Sequence, residues 1–242
     1  MPGPRILEFA YLAQAAYSSQ ETRAWGWTQA HYGELSGGFQ GSYWRKATDG
    51  AGADVICAFA GTQPELGDDD IVTDIGFGGS TMAALGAIVT TLPFAGSRRA
   101  GLSLMELAQR GTEMLRAQID GATELARQAA WVARQGRGRC FVTGHSLGGG
   151  LAQLIGAALN LPGVTFNAPA VSQLSYHRTT PSILNVVVER DPINDTERLG
   201  RRIGAELRVR GPFGWPEAHL IGNTISTITS GENATIADRR PF

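Results

Sequence analysis

Lysine is nearly absent from this sequence: Lys46 is the only one, and arginine supplies the rest of the 21 basic residues. The chain also carries 22 acidic residues, so its net charge is −1, and it lacks the positive excess expected of a nucleic-acid-binding protein. Cysteine is scarce as well. Cys57 and Cys140 are too few for a disulfide framework or a metal cluster, and each lies in an apolar run, so we expect unreactive core thiols.

Long apolar runs are also missing. No run approaches the roughly 20 residues that a membrane-spanning helix needs, which predicts that the chain has no transmembrane segment. Near the N-terminus, Glu8 interrupts the apolar stretch that a secretory signal would require, although 13–15 resembles a cleavage site. We therefore expect an amphipathic helix over 5–18, and a protein that is cytoplasmic or exported without a classical signal peptide.

What the sequence does contain is the pattern of one α/β domain. Its 242 residues, 43% of them hydrophobic, are sufficient to bury a core without disulfides. Strands alternate with helices, which predicts a mostly parallel sheet flanked by helices and a single domain over 1–242. The predicted strands are 38–47, 53–60, 140–143, 163–167 and 183–189, and the further predicted helices are 103–135 and 147–159.

The pentapeptide Gly144-His145-Ser146-Leu147-Gly148 lies between a predicted strand and a predicted helix. A serine nucleophile at such a position is exposed on a tight turn at the carboxyl end of a sheet, and glycines on both sides let that turn close. The pattern predicts Ser146 as the nucleophile of a serine hydrolase. It also predicts that the N–H of Leu147, at the start of the helix, contributes to an oxyanion hole.

A serine nucleophile needs a histidine base, and the sequence has four histidines. His145 lies within the turn, where its side chain should point away from Ser146. His31 precedes the predicted sheet, and His177 lies in a polar loop ahead of the last predicted strand. His219 follows a plausible acid, as the order Ser, Asp, His of α/β-hydrolases requires, so it is the predicted base.

Asp191 is the predicted acid, because it follows an apolar strand and directly precedes Pro192, which ends that strand. Asp195 is the alternative, and either residue could instead form an Asx turn or a helix cap. Thr62 follows the strand 53–60 and a glycine, so its N–H and hydroxyl are predicted as further oxyanion donors. A simple turn at the end of the strand is the other interpretation of Thr62.

With these residues in this order, the sequence resembles the class 3 lipases, the family of the fungal triacylglycerol lipases. The resemblance implies an α/β-hydrolase fold, with Ser146 as nucleophile, Asp191 as acid, His219 as base and Thr62 and Leu147 at the oxyanion hole. It also implies a structural role for Asp74. The segments that carry it are CAFAGT (57–62), DIVTDI (70–75), VTGHSLGGGLAQL (142–154), TFNAP (165–169), VVVERDPIN (186–194) and AHL (218–220).

Two features suggest how a lipid substrate could bind. The uncharged segment 76–97 occupies the place of a lipase lid, and its alternative is a buried insertion of helix and loop. Arginines cluster between the predicted acid and base, where they could attract anionic lipid headgroups or simply form a solvated face. They are Arg198, Arg201, Arg202, Arg208 and Arg210.

The sequence therefore predicts a serine carboxylic-ester hydrolase that acts on acyl lipids at a lipid–water interface, with no metal ion or cofactor. One alternative keeps the reaction and changes the substrate: a phospholipase A1 or short-ester esterase, possible also as an exported antibacterial effector with a protein inhibitor. An alternative of another class is a catalytically silent lipase-like binding module. All three triad positions are filled, which favours the enzyme.

Overall fold

A computed structural model of the chain describes residues 2–35, 39–48, 52–61, 98–175, 181–198, 200–214 and 217–242. Its strands form one eight-stranded sheet whose spatial order follows the chain order, β1 to β8. The first four strands pair antiparallel, and β4 to β8 pair parallel. The strands are β1 (Arg23–Ala24), β2 (Trp27–Leu35), β3 (Phe39–Ala47), β4 (Ala53–Phe59), β5 (Cys140–His145), β6 (Gly163–Phe166), β7 (Ile183–Val188) and β8 (Ala205–Val209).

Helices cover both faces of this sheet, which is the α/β-hydrolase architecture predicted from the sequence. On one face α1 (Ile6–Ala15) packs against β5 and β6 and against α4 (Ile221–Thr229). On the other face α2 (Arg98–Gln135) packs against β3 and β4, and α3 (Leu147–Leu159) packs against β5 and β6. Among the described helices, none is both long and apolar enough to cross a membrane.

The two faces are built from alternating side chains of the same strands. In β4, Val55, Cys57 and Phe59 belong to the apolar cluster under α2 and α3, whereas Ile56 and Ala58 belong to the cluster under α1 and α4. All five are fully buried. Successive side chains of a strand point to opposite faces of the sheet, so a continuous apolar run is what a strand covered on both sides requires.

Several elements differ from the sequence-based expectations. His31 does not precede the sheet: it lies in β2, where its ring stacks on that of Tyr43 with 5.5 Å between centroids. The strands β1, β2 and β8 and the helix α4 were not predicted. In β8 four of five residues are at least partly exposed, and in β2 polar residues predominate, so neither shows the apolar pattern of an internal strand.

Candidate active site

The parallel strands carry the site, because their carboxyl ends lie at one edge of the sheet. Ser146 directly follows β5, Asn167 directly follows β6, and Asp191 follows β7 by three residues. His219 ends a short 3-10 helix, Glu217–His219, that leads towards α4. The topology therefore delivers a serine, an asparagine, an aspartate and a histidine to a single region.

Ser146 occupies a strained turn between β5 and α3. Its backbone has φ 56° and ψ −130°, outside the regions that a residue with a side chain ordinarily adopts. The turn is held by a hydrogen bond from the N–H of Ser146 to the carbonyl of Phe166, 3.1 Å, and by one from the N–H of Gly150 to the carbonyl of Ser146, 3.1 Å. Strain of this kind, fixed by the surrounding backbone, is typical of nucleophile turns.

The glycines on either side of Ser146 are required by close backbone approach. A Cβ atom on Gly144 would lie 2.3 Å from the carbonyl oxygen of Gly148. A Cβ atom on Gly148 would lie 2.1 Å from the carbonyl oxygen of Phe59, in β4. Any larger residue would therefore push α3 away from the sheet, and with it the backbone that presents Ser146.

His219 connects Ser146 to Asp191. Its Nε2 atom lies 2.9 Å from the Oγ atom of Ser146, and its Nδ1 atom lies 2.9 and 3.0 Å from the two carboxylate oxygens of Asp191. A carboxylate can only accept, so Nδ1 carries the hydrogen and Nε2 is free to accept the hydroxyl hydrogen of Ser146. The structure thus brings these three predicted residues into one hydrogen-bonded chain.

Asp191, the predicted acid, contacts the histidine. The Asp191 side chain is fully buried, and its Oδ1 atom also accepts a hydrogen bond from the N–H of Ile193, 2.8 Å. Its own N–H bonds to the carbonyl of Val188 at the end of β7. These contacts fix the carboxylate so that it faces Nδ1 of His219.

Leu147 is the first residue of α3, where the initial N–H groups lack partners within the helix and the helix dipole favours negative charge. This position suits an oxyanion donor. Thr62 lies outside the described residues, but Gly61 precedes it directly. A Cβ atom on Gly61 would lie 3.1 Å from the Cβ atom of Ser146, so Gly61 lies beside the predicted nucleophile.

Other predicted features also lie outside the described residues: the segment 76–97, Asp74 and His177. Among the arginines that follow Asp191, Arg202 is fully buried and bonds to the carbonyl of Ala168 and to Asn194. Arg208 and Arg210 form ion pairs with nearby glutamates. These three arginines therefore make hydrogen bonds and ion pairs within the chain.

A small apolar cavity lies between α2, α3 and the loop after β6, and Leu147, the residue after Ser146, borders it. Its lining is entirely apolar. The residues that line the cavity include Leu115, Leu151, Leu154, Pro169 and Val171.

Among the residues that the structure describes, no three histidine, cysteine or acidic side chains form a group able to hold a metal ion.

Sequence reasoning missed the contacts that connect two further residues, His145 and Tyr17, to His219. His145 was expected only to point away from Ser146, yet its Nε2 atom lies 2.6 Å from the carbonyl oxygen of His219. Its Nδ1 atom lies 2.9 Å from the hydroxyl of Tyr17, just beyond α1. Tyr17 carried no recognisable signal, because the contact joins residues that are 128 positions apart in the chain.

Comparison with known proteins agrees with this geometry. The family model described as "Lipase (class 3)" matches residues 114–198, a range that includes Ser146 and Asp191 and ends before His219. The fold and the match define the class, a carboxylic ester hydrolase of the α/β-hydrolase type. Over residues 114–198 the chain is similar to the class 3 lipases.

Two solved structures are similar to the chain at low sequence identity. The Lip2 lipase of Yarrowia lipolytica is 14% identical, with a TM-score of 0.48, and the alignment covers 86% of this chain and 78% of that one. The M37 lipase is 9% identical, with a TM-score of 0.43, and the alignment covers 84% and 76% of the two chains. No curated protein sequence matches this chain.

Proposed function

We propose that the chain hydrolyses carboxylic esters of acyl lipids through an acyl-enzyme intermediate on Ser146. The observation that carries this proposal is the chain of hydrogen bonds from Asp191 through His219 to the Ser146 hydroxyl. His219 accepts the hydroxyl proton at Nε2 as the Oγ atom attacks the ester carbonyl, and it then gives that proton to the departing alcohol. In the second half of the cycle, His219 accepts a proton from water as the water attacks the acyl-enzyme, and it returns that proton to Ser146 as the carboxylic acid leaves.

The remaining groups stabilise charge during this cycle. Asp191 holds the hydrogen of His219 on Nδ1 and stabilises the imidazolium that forms. The N–H of Leu147 donates to the oxyanion, and Thr62 supplies the second donor. We expect each donor to stabilise the transition state by a few kcal/mol, since removing one oxyanion donor typically raises the activation free energy by about 3–4 kcal/mol.

Two observations support a substrate with an acyl chain. The walls of the small cavity bordered by Leu147 are apolar, which favours contact with a hydrocarbon over a polar acyl group. Leu220, directly after the base, exposes 44% of its surface, which suits contact with an apolar substrate surface. We extend the proposal to the segment 76–97, which would cover the site in water and open at a lipid surface.

Parallel hydrolysis assays test this function. An emulsified triacylglycerol, phosphatidylcholine vesicles and a short soluble ester are each incubated with the protein and with its Ser146→Ala variant, and the released fatty acid is quantified. We expect release from the triacylglycerol that requires Ser146. Release only from the sn-1 position of phosphatidylcholine would assign a phospholipase A1 instead, and no release from any ester would contradict the proposal.

A further inference from the structure

His145 is only 5% exposed, and each of its ring nitrogens has a hydrogen-bond partner: the Tyr17 hydroxyl and the carbonyl oxygen of His219. A carbonyl oxygen can only accept, so the contact to the His219 carbonyl requires a hydrogen on Nε2 of His145. The Nδ1 atom then carries a lone pair and accepts the hydrogen of the Tyr17 hydroxyl. Both contacts are satisfied by one tautomer of the neutral ring, in which Tyr17 donates to His145 and His145 donates to His219.

The surroundings keep this ring neutral. Burial, together with the positive charge that His219 carries when protonated, lowers the pKa of His145 to about 3. The two imidazole rings are 4.9 Å apart between centroids, so a charged His145 would oppose the imidazolium that forms on His219 during the reaction. The neutral ring of His145 can therefore donate a hydrogen bond to the His219 carbonyl without placing a second positive charge beside the His219 ring.

Tyr17 extends the connection to the end of β4. The backbone of Gly61 hydrogen-bonds the Tyr17 hydroxyl, and a Cβ atom on Gly61 would lie 2.5 Å from that oxygen. Gly61 is the residue before Thr62. One phenol hydroxyl therefore touches both the strand end that leads to the oxyanion loop and the ring that holds the base.

The segment that carries the base needs such support. His219 lies in a 3-10 helix of three residues, which follows a stretch, 210–214, without helix or strand. Asp191 fixes the imidazole, and hydrogen bonds to the main chain help to fix the backbone that carries it. Asn167 supplies one, from Nδ2 to the carbonyl of Ala218 at 2.9 Å, and His145 supplies the next, to the carbonyl of His219.

We propose that Tyr17 and His145 form a positioning relay that holds the backbone of His219 in register with Ser146. The proposal rests on the proposed function, because it assigns a role in the same reaction. Ser146 and His145 are adjacent in β5 and its turn, so the residue that holds the base moves together with the nucleophile. Neither Tyr17 nor His145 touches the reacting atoms; each acts through the alignment of His219.

Substitutions of both residues test the relay. His145→Phe and Tyr17→Phe remove the hydrogen bonds, whereas His145→Gln keeps an amide N–H able to reach the His219 carbonyl. Thr143→Val is the control for His145, because it removes a buried hydrogen bond from the same strand without contacting His219. Tyr11→Phe is the control for Tyr17, because Tyr11 lies in α1 with its ring stacked on Trp25.

Steady-state kinetics on a soluble ester give the first readout. Since a misplacement of about 1 Å can cost about 100-fold in rate, we expect His145→Phe to lower kcat by about 10–100-fold and Tyr17→Phe by about 10-fold, with little change in KM. We expect His145→Gln to recover most of the loss. The variants are compared well below their thermal unfolding midpoints, so that a loss of kcat does not come from unfolding.

NMR of the His219 ring gives a second readout that does not depend on activity. We expect its resonances to shift or broaden in His145→Phe and Tyr17→Phe and to stay unchanged in the two controls. Unchanged kcat and unchanged His219 resonances in folded Tyr17→Phe and His145→Phe, or an equal loss in Thr143→Val, would overturn the relay. A wild-type protein that hydrolyses no ester would overturn the proposed function, while the resonances would still test the relay.

Discussion

Asp191 contacts His219 through both carboxylate oxygens and is itself fully buried. A buried carboxylate is stabilised only by such partners, and here they are the Nδ1–H group of His219 and the N–H of Ile193. The geometry makes Asp191 responsible for the tautomer of the base, since an acceptor at this position keeps the hydrogen on Nδ1. Under the proposed function, we expect the charge and the hydrogen-bonding character of this one side chain to control the reactivity of Ser146.

Replacement of Asp191 by asparagine tests this role with little change of shape. The amide N–H would donate to Nδ1 and force the hydrogen onto Nε2, where the ring can no longer accept a proton from Ser146. We expect kcat for ester hydrolysis to fall by about 1,000–10,000-fold, with the thermal midpoint nearly unchanged.

Asp54→Asn is the matched control, because Asp54 is a buried aspartate at the opposite end of the parallel strands and pairs with Arg139 at 2.6 Å. It should reduce stability and leave kcat within about threefold, since it makes no contact with the site. Equal losses of kcat in the two variants would contradict the role of Asp191.

The sequence located Ser146, Asp191 and His219 because chain order and strand ends constrain them. It could not locate Tyr17, since no local pattern relates the end of α1 to the residue before the nucleophile. His145 lay inside the recognised pentapeptide, but its partner is a backbone carbonyl, which leaves no mark on the residue type of His219. A pattern of residue types does not reveal a side-chain contact with the main chain of a distant segment.

At the scale of elements, the turn from β5 to α3 is the part of the fold that the chemistry constrains most. Ser146 holds a positive φ, and the glycines at 144 and 148 leave room for the carbonyls of Gly148 and Phe59. The small residues of α3 allow the helix to lie close to the sheet. Close packing of this helix, not helix propensity, explains the glycines at 148 and 149, where a Cβ atom would lie 2.1 Å from the Phe59 carbonyl oxygen and 2.6 Å from the Ala168 Cβ atom.

Two alanine substitutions within α3 distinguish close packing from propensity. Gly148→Ala places a Cβ atom 2.1 Å from a β4 carbonyl, so we expect it to lower the free energy of unfolding by about 3 kcal/mol or more and to reduce activity. Gly150→Ala meets its nearest atom at 3.1 Å, in the Pro169 ring. Its cost should be within about 1 kcal/mol, because alanine favours the helix.

Urea unfolding of the two variants measures these changes directly. Equal stability of Gly148→Ala and Gly150→Ala would show that the predicted clash is relieved without cost. That result would remove the argument that the backbone around Ser146 is rigidly fixed by the contact between α3 and β4.

The elements recovered from sequence are those with a strong apolar pattern. Strands β3 to β7 and helices α1 to α3 agree with their predicted ranges within a few residues, since burial on both faces gives continuous apolar runs. The strand β8 lies at the edge of the sheet with charged, partly exposed residues, and β2 pairs outside the parallel core. Edge strands tolerate polar residues, so their pairing is determined by neighbours that a local pattern does not reveal.

At the scale of the whole molecule, buried ionisable groups make the free energy of unfolding depend on pH. Glu8 is buried in α1 and receives hydrogen bonds from Trp27 in β2 and Lys46 in β3. Burial alone would raise the pKa of Glu8, but the hydrogen bonds and the charge of Lys46 lower it overall. Its charged form therefore ties α1 to the antiparallel half of the sheet, and this stabilisation is lost as pH falls through the pKa of Glu8 in the folded protein.

His145 also makes the free energy of unfolding depend on pH. Its pKa falls from 6.5 to about 3 on folding, so in that range the unfolded chain binds a proton that the folded chain excludes. The stabilisation is complete above pH 6.5 and is lost as the pH falls towards 3, by up to about 1.4 kcal/mol per pH unit.

Urea midpoints of the wild type and of His145→Gln between pH 4 and pH 7, followed by fluorescence, measure this contribution. The wild type should lose stability towards low pH more steeply than the variant, because glutamine has no proton to gain. Parallel curves for the two proteins would show that His145 is not held neutral by the fold.

Covalent labelling with a fluorophosphonate tests the central claim, that Ser146 is a nucleophile activated by His219 and Asp191. The account predicts one adduct per chain, found by mass spectrometry on the peptide that contains Ser146. The adduct should be absent in Ser146→Ala and form far more slowly in His219→Ala. An adduct that persists in folded Ser146→Ala, or a wild-type protein that resists the reagent altogether, would contradict it.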